Sequence, residues 1–153
     1  MIKSLRKRND IQSDKRLNKA YYQFQKLLTE LSKKRLTPEI TSAINRFGEE
    51  INIKSLANKE LKKTLRKHQS SIIALVEKEL KIVPQNYYMN RWLAFGMAVF
   101  GIPFGVIFSV SLQNYAFIGI GLPIGMGVGI AIGSSMDKKA KTEGRQLNIA
   151  IEV

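Results

Sequence analysis

Between Trp92 and Met136 the chain carries no charged side chain, whereas the segments before it mix apolar and charged residues at helical spacing. Leu93 to Leu112 gives 20 uncharged residues, about 30 Å of helix, which matches the hydrocarbon core of a bilayer. Eleven of them are Leu, Ile, Phe or Val, and these favour insertion by roughly 3 to 7 kcal/mol. Tyr115 to Ser134 forms a second uncharged run, with eight such residues and six glycines. Only Gln113 and Asn114 separate the two, so the pattern predicts a transmembrane hairpin.

Upstream the periodicity changes. From Asp14, apolar side chains at Leu17, Tyr21, Phe24, Leu28 and Leu31 alternate spacings of four and three, which places them on one stripe of a helix ending near Arg35. Thr37 before Pro38 reads as an N-cap followed by proline at the first helical position, and Ile40, Ile44, Phe47 and Ile51 continue the spacing. A third helix is expected from near Asn58, with Leu61, Leu65, Ile72, Leu75 or Val76, and Leu80 on its stripe, before Pro84 stops it. The expected fold is all-α. Residues 1–90 form a basic cytoplasmic helical region, either a helical hairpin or a three-helix bundle, and residues 91–136 form the two-helix transmembrane hairpin. A cytoplasmic tail occupies 137–153. Pairing of the upstream stripes between subunits as a coiled coil fits the same pattern. Leu147, Ile149, Ile151 and Val153 alternate as in a strand that adds to a partner's sheet, or belong to a disordered tail.

The second span sets Gly121, Gly125, Gly129 and Gly133 four residues apart, and the first has a shorter equivalent in Gly101, Gly105 and Ser109. In lipid, small residues on one face let two backbones approach for van der Waals contact and weak hydrogen bonds from Cα. That face serves either to lock the hairpin to itself or to build an oligomer or pore. Gly-x-Pro-x-Gly occurs in both spans, at 101–105 and 121–125. Pro103 and Pro123 are therefore candidate kinks, each removing the amide that would bond one turn earlier, at Val99 and Gly119. No Asp, Glu, Lys, Arg or His lies in either span, which argues against coupled ion or proton transport.

Charge then orients the chain. Residues 1–91 hold 21 basic and 9 acidic side chains, and residues 137–153 hold 4 and 3. Arg91 flanks one span, Lys138, Lys139 and Lys141 flank the other, and the connecting loop has none, so both termini are expected in the cytoplasm. Tyr87, Tyr88, Trp92 and Tyr115 suit the interfacial aromatic belts. Lys3, Arg6, Lys7 and Arg8 read as a mobile basic arm which, with Arg91 and the three lysines, would contact anionic lipid headgroups. Nucleic acid is the other available polyanion. It is disfavoured because Tyr21 and Phe24, which could stack on bases, lie on the apolar stripe. The first long apolar run begins too late for a signal peptide, so the N-terminus is expected to stay uncleaved.

Chemistry for catalysis is sparse. There is no cysteine, hence no disulfide, thiolate nucleophile or cysteine metal site. The only histidine, His68, sits where the third stripe would have a member, and Glu30 with Lys34, Glu50 with Lys54, and Glu77 with Lys81 are favourably oriented helix pairs. No catalytic residue, metal ligand or cofactor is expected. Pro123 to Gly133, running into Met136 to Gln146, resembles the C-terminal part of small uncharacterised two-span bacterial membrane proteins, and the likeness extends to the Tyr-Tyr-Gln-Phe-Gln-Lys run at Tyr21. The resemblance implies a multi-pass protein of the bacterial inner membrane and brings no activity, cofactor or site residue with it. Three function classes follow: a non-enzymatic membrane scaffold or regulatory subunit packed through glycine faces, a small oligomeric pore or membrane-perturbing effector, and an immunity-type membrane protein. A homo-oligomer is compatible with each, and the protein partner is not encoded in any motif.

Overall fold

Asp14 opens the first helix: its carboxylate accepts from the Arg16 and Leu17 amides, satisfying two donors that the first turn leaves unpaired. The computed structural model of the protein describes residues 1–6, 11, 14–53 and 57–151. Its elements are α1 (Lys15–Ser32), α2 (Pro38–Ile53), α3 (Asn58–Leu80), β1 (Val83–Gln85), α4 (Tyr87–Gly96), α5 (Ile102–Ser111), α6 (Ile118–Thr142) and β2 (Gln146–Ala150). The chain divides into two compact units, residues 1–83 with 147–153, and residues 84–146.

In the first unit α3 packs against both α1 and α2. Leu17, Phe24, Leu27 and Leu31 of α1, Ile44 and Ile51 of α2, and Leu61, Leu65, Ile72 and Val76 of α3 are fully buried, so one apolar stripe from each helix meets in a common core. Of the two residues that compete for one stripe position, Val76 is buried and Leu75 half-buried. Tyr21 also lies in this core. His68 occupies the place of an apolar residue, 6% exposed, with Nε2 3.2 Å from a Glu50 carboxylate oxygen and its ring 4.8 Å from that of Phe47.

Two expectations about the ends of the chain differ from what is seen. Residues 1–6 do not project as a free arm. Leu5 is buried, the Lys3 and Arg6 amides donate to the Asn45 and Asn52 side chains of α2, Asn45 donates to the Met1 carbonyl, and Lys3 pairs with Glu49 at 2.7 Å. Tyr21 donates its hydroxyl to the Arg6 carbonyl. The side-chain amides of α2 thus satisfy backbone groups of residues 1–6 that water would otherwise solvate. Lys7 and Arg8 lie outside the described residues, as does Lys54 of the expected pair with Glu50. The alternating C-terminal segment, for its part, forms β2, which pairs with β1 of the same chain. Leu147 and Ile149 are buried and Asn148 exposed, the period of two that one covered face requires.

The Glu77–Lys81 pair forms at 3.9 Å, whereas the Glu30 carboxylate takes Lys33, at 2.6 Å, and accepts from the Asn148 amide of β2. The hydrogen bond from Lys33, reinforced by that amide and opposed by partial burial, lowers the Glu30 pKa below its ordinary value. A carboxylate with a lowered folded-state pKa contributes stability that is present above its ordinary pKa and lost as pH falls through the lowered one. Glu30→Gln should therefore lower the thermal midpoint at neutral pH, and the gap to wild type should close as pH drops through the carboxylate range; circular-dichroism melts of the full chain at a series of pH values would show it.

The second unit is built differently. α4, a π-helical turn over Met97–Gly101 and α5 form one apolar stretch, Tyr87–Ser111; a 3₁₀ turn at Tyr115–Phe117 leads into α6 to form the other, Tyr115–Thr142. Both are long and apolar enough to cross a membrane, and only 22% of the most apolar window of each is buried. A core helix of a water-soluble protein would be mostly covered. Instead Phe95, Val99, Ile102, Ile107 and Val110 on one side and Ile118, Ile120, Leu122 and Ile124 on the other are exposed. At the connection Gln113 adopts φ 50°, and Asn114 caps the 3₁₀ turn by accepting from the Ala116 amide.

Candidate functional site

Packing in the second unit runs along one line. Gly121, Gly125, Gly129 and Gly133 of α6 are buried, as are Gly96, Gly101, Gly105 and Ser109 on the opposing stretch. A Cβ added at Gly96 would lie 2.8 Å from the Cα of Gly129, one at Gly125 would lie 2.7 Å from the Cα of Gly101, and one at Gly121 would lie 2.7 Å from the Cα of Gly105. Each would collide with backbone, which cannot rotate away as a side chain can. The hydrogen replacing Cβ at Gly96 points to the Gly125 carbonyl, and that at Gly125 points back to the Gly96 carbonyl; Gly101 and Gly121 repeat this reciprocal arrangement. Such Cα donors contribute about 0.5 to 1 kcal/mol each, and the close approach adds dispersion along the whole seam.

The first stretch reaches this register through its π turn. Gly96 and Gly101 are five residues apart, and in a regular α-helix that spacing rotates the second residue about 140° off the face of the first. The Ile102 amide instead bonds to the Met97 carbonyl, five residues back, and this wider turn returns Gly101 to the face of Gly96. Pro103 follows at once. Having no amide, it cannot restore the α-helical bond to Val99, so the wide turn falls where the ladder is already interrupted. Pro123 sits inside α6, which remains helical through it. Both prolines are exposed, away from the seam.

Asp137 continues the ladder one step beyond Gly133, a functional position outside the expected set. Its side chain is 6% exposed, and its two carboxylate oxygens accept from the Tyr88 amide at 3.1 Å and the Met89 amide at 2.9 Å. These amides belong to the first turn of α4, whose own N-cap, Asn86, has φ 58° and makes no side-chain cap. A carboxylate from α6 thus caps α4 across the hairpin, at the end where the helix dipole is positive. The signal was present in the spacing, since 137 follows 121, 125, 129 and 133 at the same interval. At the other end of the seam Ser109 is 3% exposed and its hydroxyl finds no partner, so it packs as a small residue.

The charged groups expected at lipid headgroups fall into three settings. Arg91 donates to the Tyr87 hydroxyl at 2.8 Å with its guanidinium 5.5 Å from that ring, a stacked arrangement near the start of α4. Lys138, Lys139 and Lys141 are exposed on the last turns of α6, while Lys3 and Arg6 belong to the first unit as described.

Gly125→Leu or Gly129→Leu should lower the stability of the hairpin by about 3 kcal/mol or more, because backbone must separate. Gly127→Leu, where an added Cβ meets nothing within 4 Å, should be tolerated. Thermal unfolding in detergent separates the two, and equal effects would sink the seam. Asp137→Ala should cost about 1 to 2 kcal/mol by stranding two amides, and Asp137→Asn, whose single side-chain oxygen can still accept, should recover only part of it in the same assay. No protein-family model, curated protein or solved structure matches this chain.

Proposed function

We propose that the chain is a non-enzymatic integral protein of the bacterial inner membrane, in which a glycine-packed hairpin anchors a basic helical module at the cytoplasmic face as a scaffold or regulatory subunit. The observation that carries this reading is the engagement of the long glycine face within one chain. Gly121, Gly125, Gly129 and Gly133 meet the backbone of residues 88–105, which leaves that face unavailable to line a ring of subunits. The outward surface is then composed of large apolar side chains suited to lipid tails, without an ionisable group between Trp92 and Met136 to mark a conduction path. The basic module has its own core, so it offers folded, positively charged helices to anionic headgroups or to a protein partner.

The pore reading retains one face, because Gly119 and Gly127 point into open space and could support contact between hairpins. The natural absence of cysteine permits a clean test of both readings. Tyr115→Cys in otherwise native protein should react with a membrane-impermeant maleimide from outside the inner membrane, and Ser70→Cys only after permeabilisation. Purified protein reconstituted in liposomes should pass no ions. Reversed labelling would refute the orientation, and a conducting ring would replace the scaffold with a pore.

A further inference from the structure

A cavity of about 380 Å³ lies where α6 leaves the uncharged block, lined by Gln85, Asn86, Ser134, Lys138, Lys141 and Gln146, with Asp137 in its wall. We propose that this cavity is a site for one phosphate group, supplied by an anionic phospholipid of the surrounding leaflet. The proposal rests on the membrane reading above and assigns a definite lipid position to two of its lysines.

Charge supports it first. Lys138 and Lys141 are three residues apart on α6, so their ammonium groups share one face. The one carboxylate in the wall does not compete for them on equal terms, since both of its oxygens are taken by the Tyr88 and Met89 amides at the positive end of α4. Besides that carboxylate, the lining residues are two lysines and neutral polar residues, among them Asn86, Ser134 and Gln146, whose side chains carry donors that match the several acceptor oxygens of a phosphate. Depth supports it next. Ser134 lies near the end of the uncharged block and Lys138 begins the basic run, so the cavity opens at headgroup level, beside acyl chains that would lie on the exposed apolar surface of the hairpin. Size also fits, because the volume is in the range of pockets that hold small organic ligands and has room for a phosphate group.

Lys139 supplies the discriminating control. It carries the same charge at the same depth but does not line the cavity. Full-length protein reconstituted in nanodiscs of phosphatidylcholine with a minor fraction of phosphatidylglycerol, then analysed by native mass spectrometry, should retain one phosphatidylglycerol per chain. Lys138→Gln and Lys141→Gln should each weaken that retention by about fivefold, and Lys139→Gln should leave it within about twofold. Equal losses in all three variants would reduce the effect to general surface charge and overturn the site. Displacement of the lipid by millimolar inorganic phosphate would overturn the lipid assignment in favour of a soluble phosphate ligand. Failure of the wild type to enter nanodiscs would instead refute the membrane reading, so the two failures are distinguishable. Detergent melts of the variants should match wild type, since neither lysine holds the seam.

Discussion

Two helices in lipid gain nothing from hiding apolar surface from each other, because the acyl chains are as apolar as leucine. What holds the hairpin must come from close approach, and close approach of two backbones requires that the facing residues lack a side chain. The protein meets this constraint with seven glycines and a serine along one seam. The turn at Gln113 and Asn114 sets the antiparallel direction, the π turn brings Gly96 into line, and the reciprocal C–H to carbonyl pairing of the glycines follows from that alignment. Other local features of the second unit can be read as adjustments that keep the seam continuous.

The end of the seam shows how a long apolar helical stretch can finish without a conventional cap. Asn86 is in the left-handed conformation and leaves the first turn of α4 unserved. The partner helix supplies the missing acceptor, using the position that would otherwise hold the next glycine. Asp137 thus joins packing to electrostatics: it marks where small-residue packing gives way to charge, and its engagement with backbone amides leaves the neighbouring lysines free of a strong local acid. The first unit rests on a different force. Its core is a meeting of apolar stripes in water, with the N-terminal six residues tied along α2 by amide side chains.

Much of this was legible in sequence because both periods are strong. An uncharged block of spanning length, a four-residue glycine interval and apolar stripes at three and four all translate directly into helices with a defined face. Gly96 was not legible, since a five-residue interval joins the ladder only if a π turn intervenes, and the only hint of one is the proline that follows. Asp137 was visible in the interval yet read as the boundary of the span. The docking of residues 1–6 depends on Asn45 and Asn52, whose amides look like ordinary surface polar groups until the N-terminal segment is placed beside them. The pairing of β2 with β1 was hidden by the brevity of β1, three residues after a helix that ends in the left-handed conformation at Lys81. Oligomeric state and partner leave no periodic trace, and the two outward glycines alone do not supply one.

The direct test of the seam is solid-state NMR of the full chain in lipid bilayers, labelled at glycine Cα and diluted into an excess of unlabelled chain. A seam within one chain predicts Cα cross-peaks for Gly96 with Gly129, Gly101 with Gly125, and Gly105 with Gly121 that persist undiminished, per labelled chain, on dilution. Loss of those cross-peaks on dilution, or their absence throughout, would mean that the glycine faces meet between molecules or do not meet, and would contradict the account.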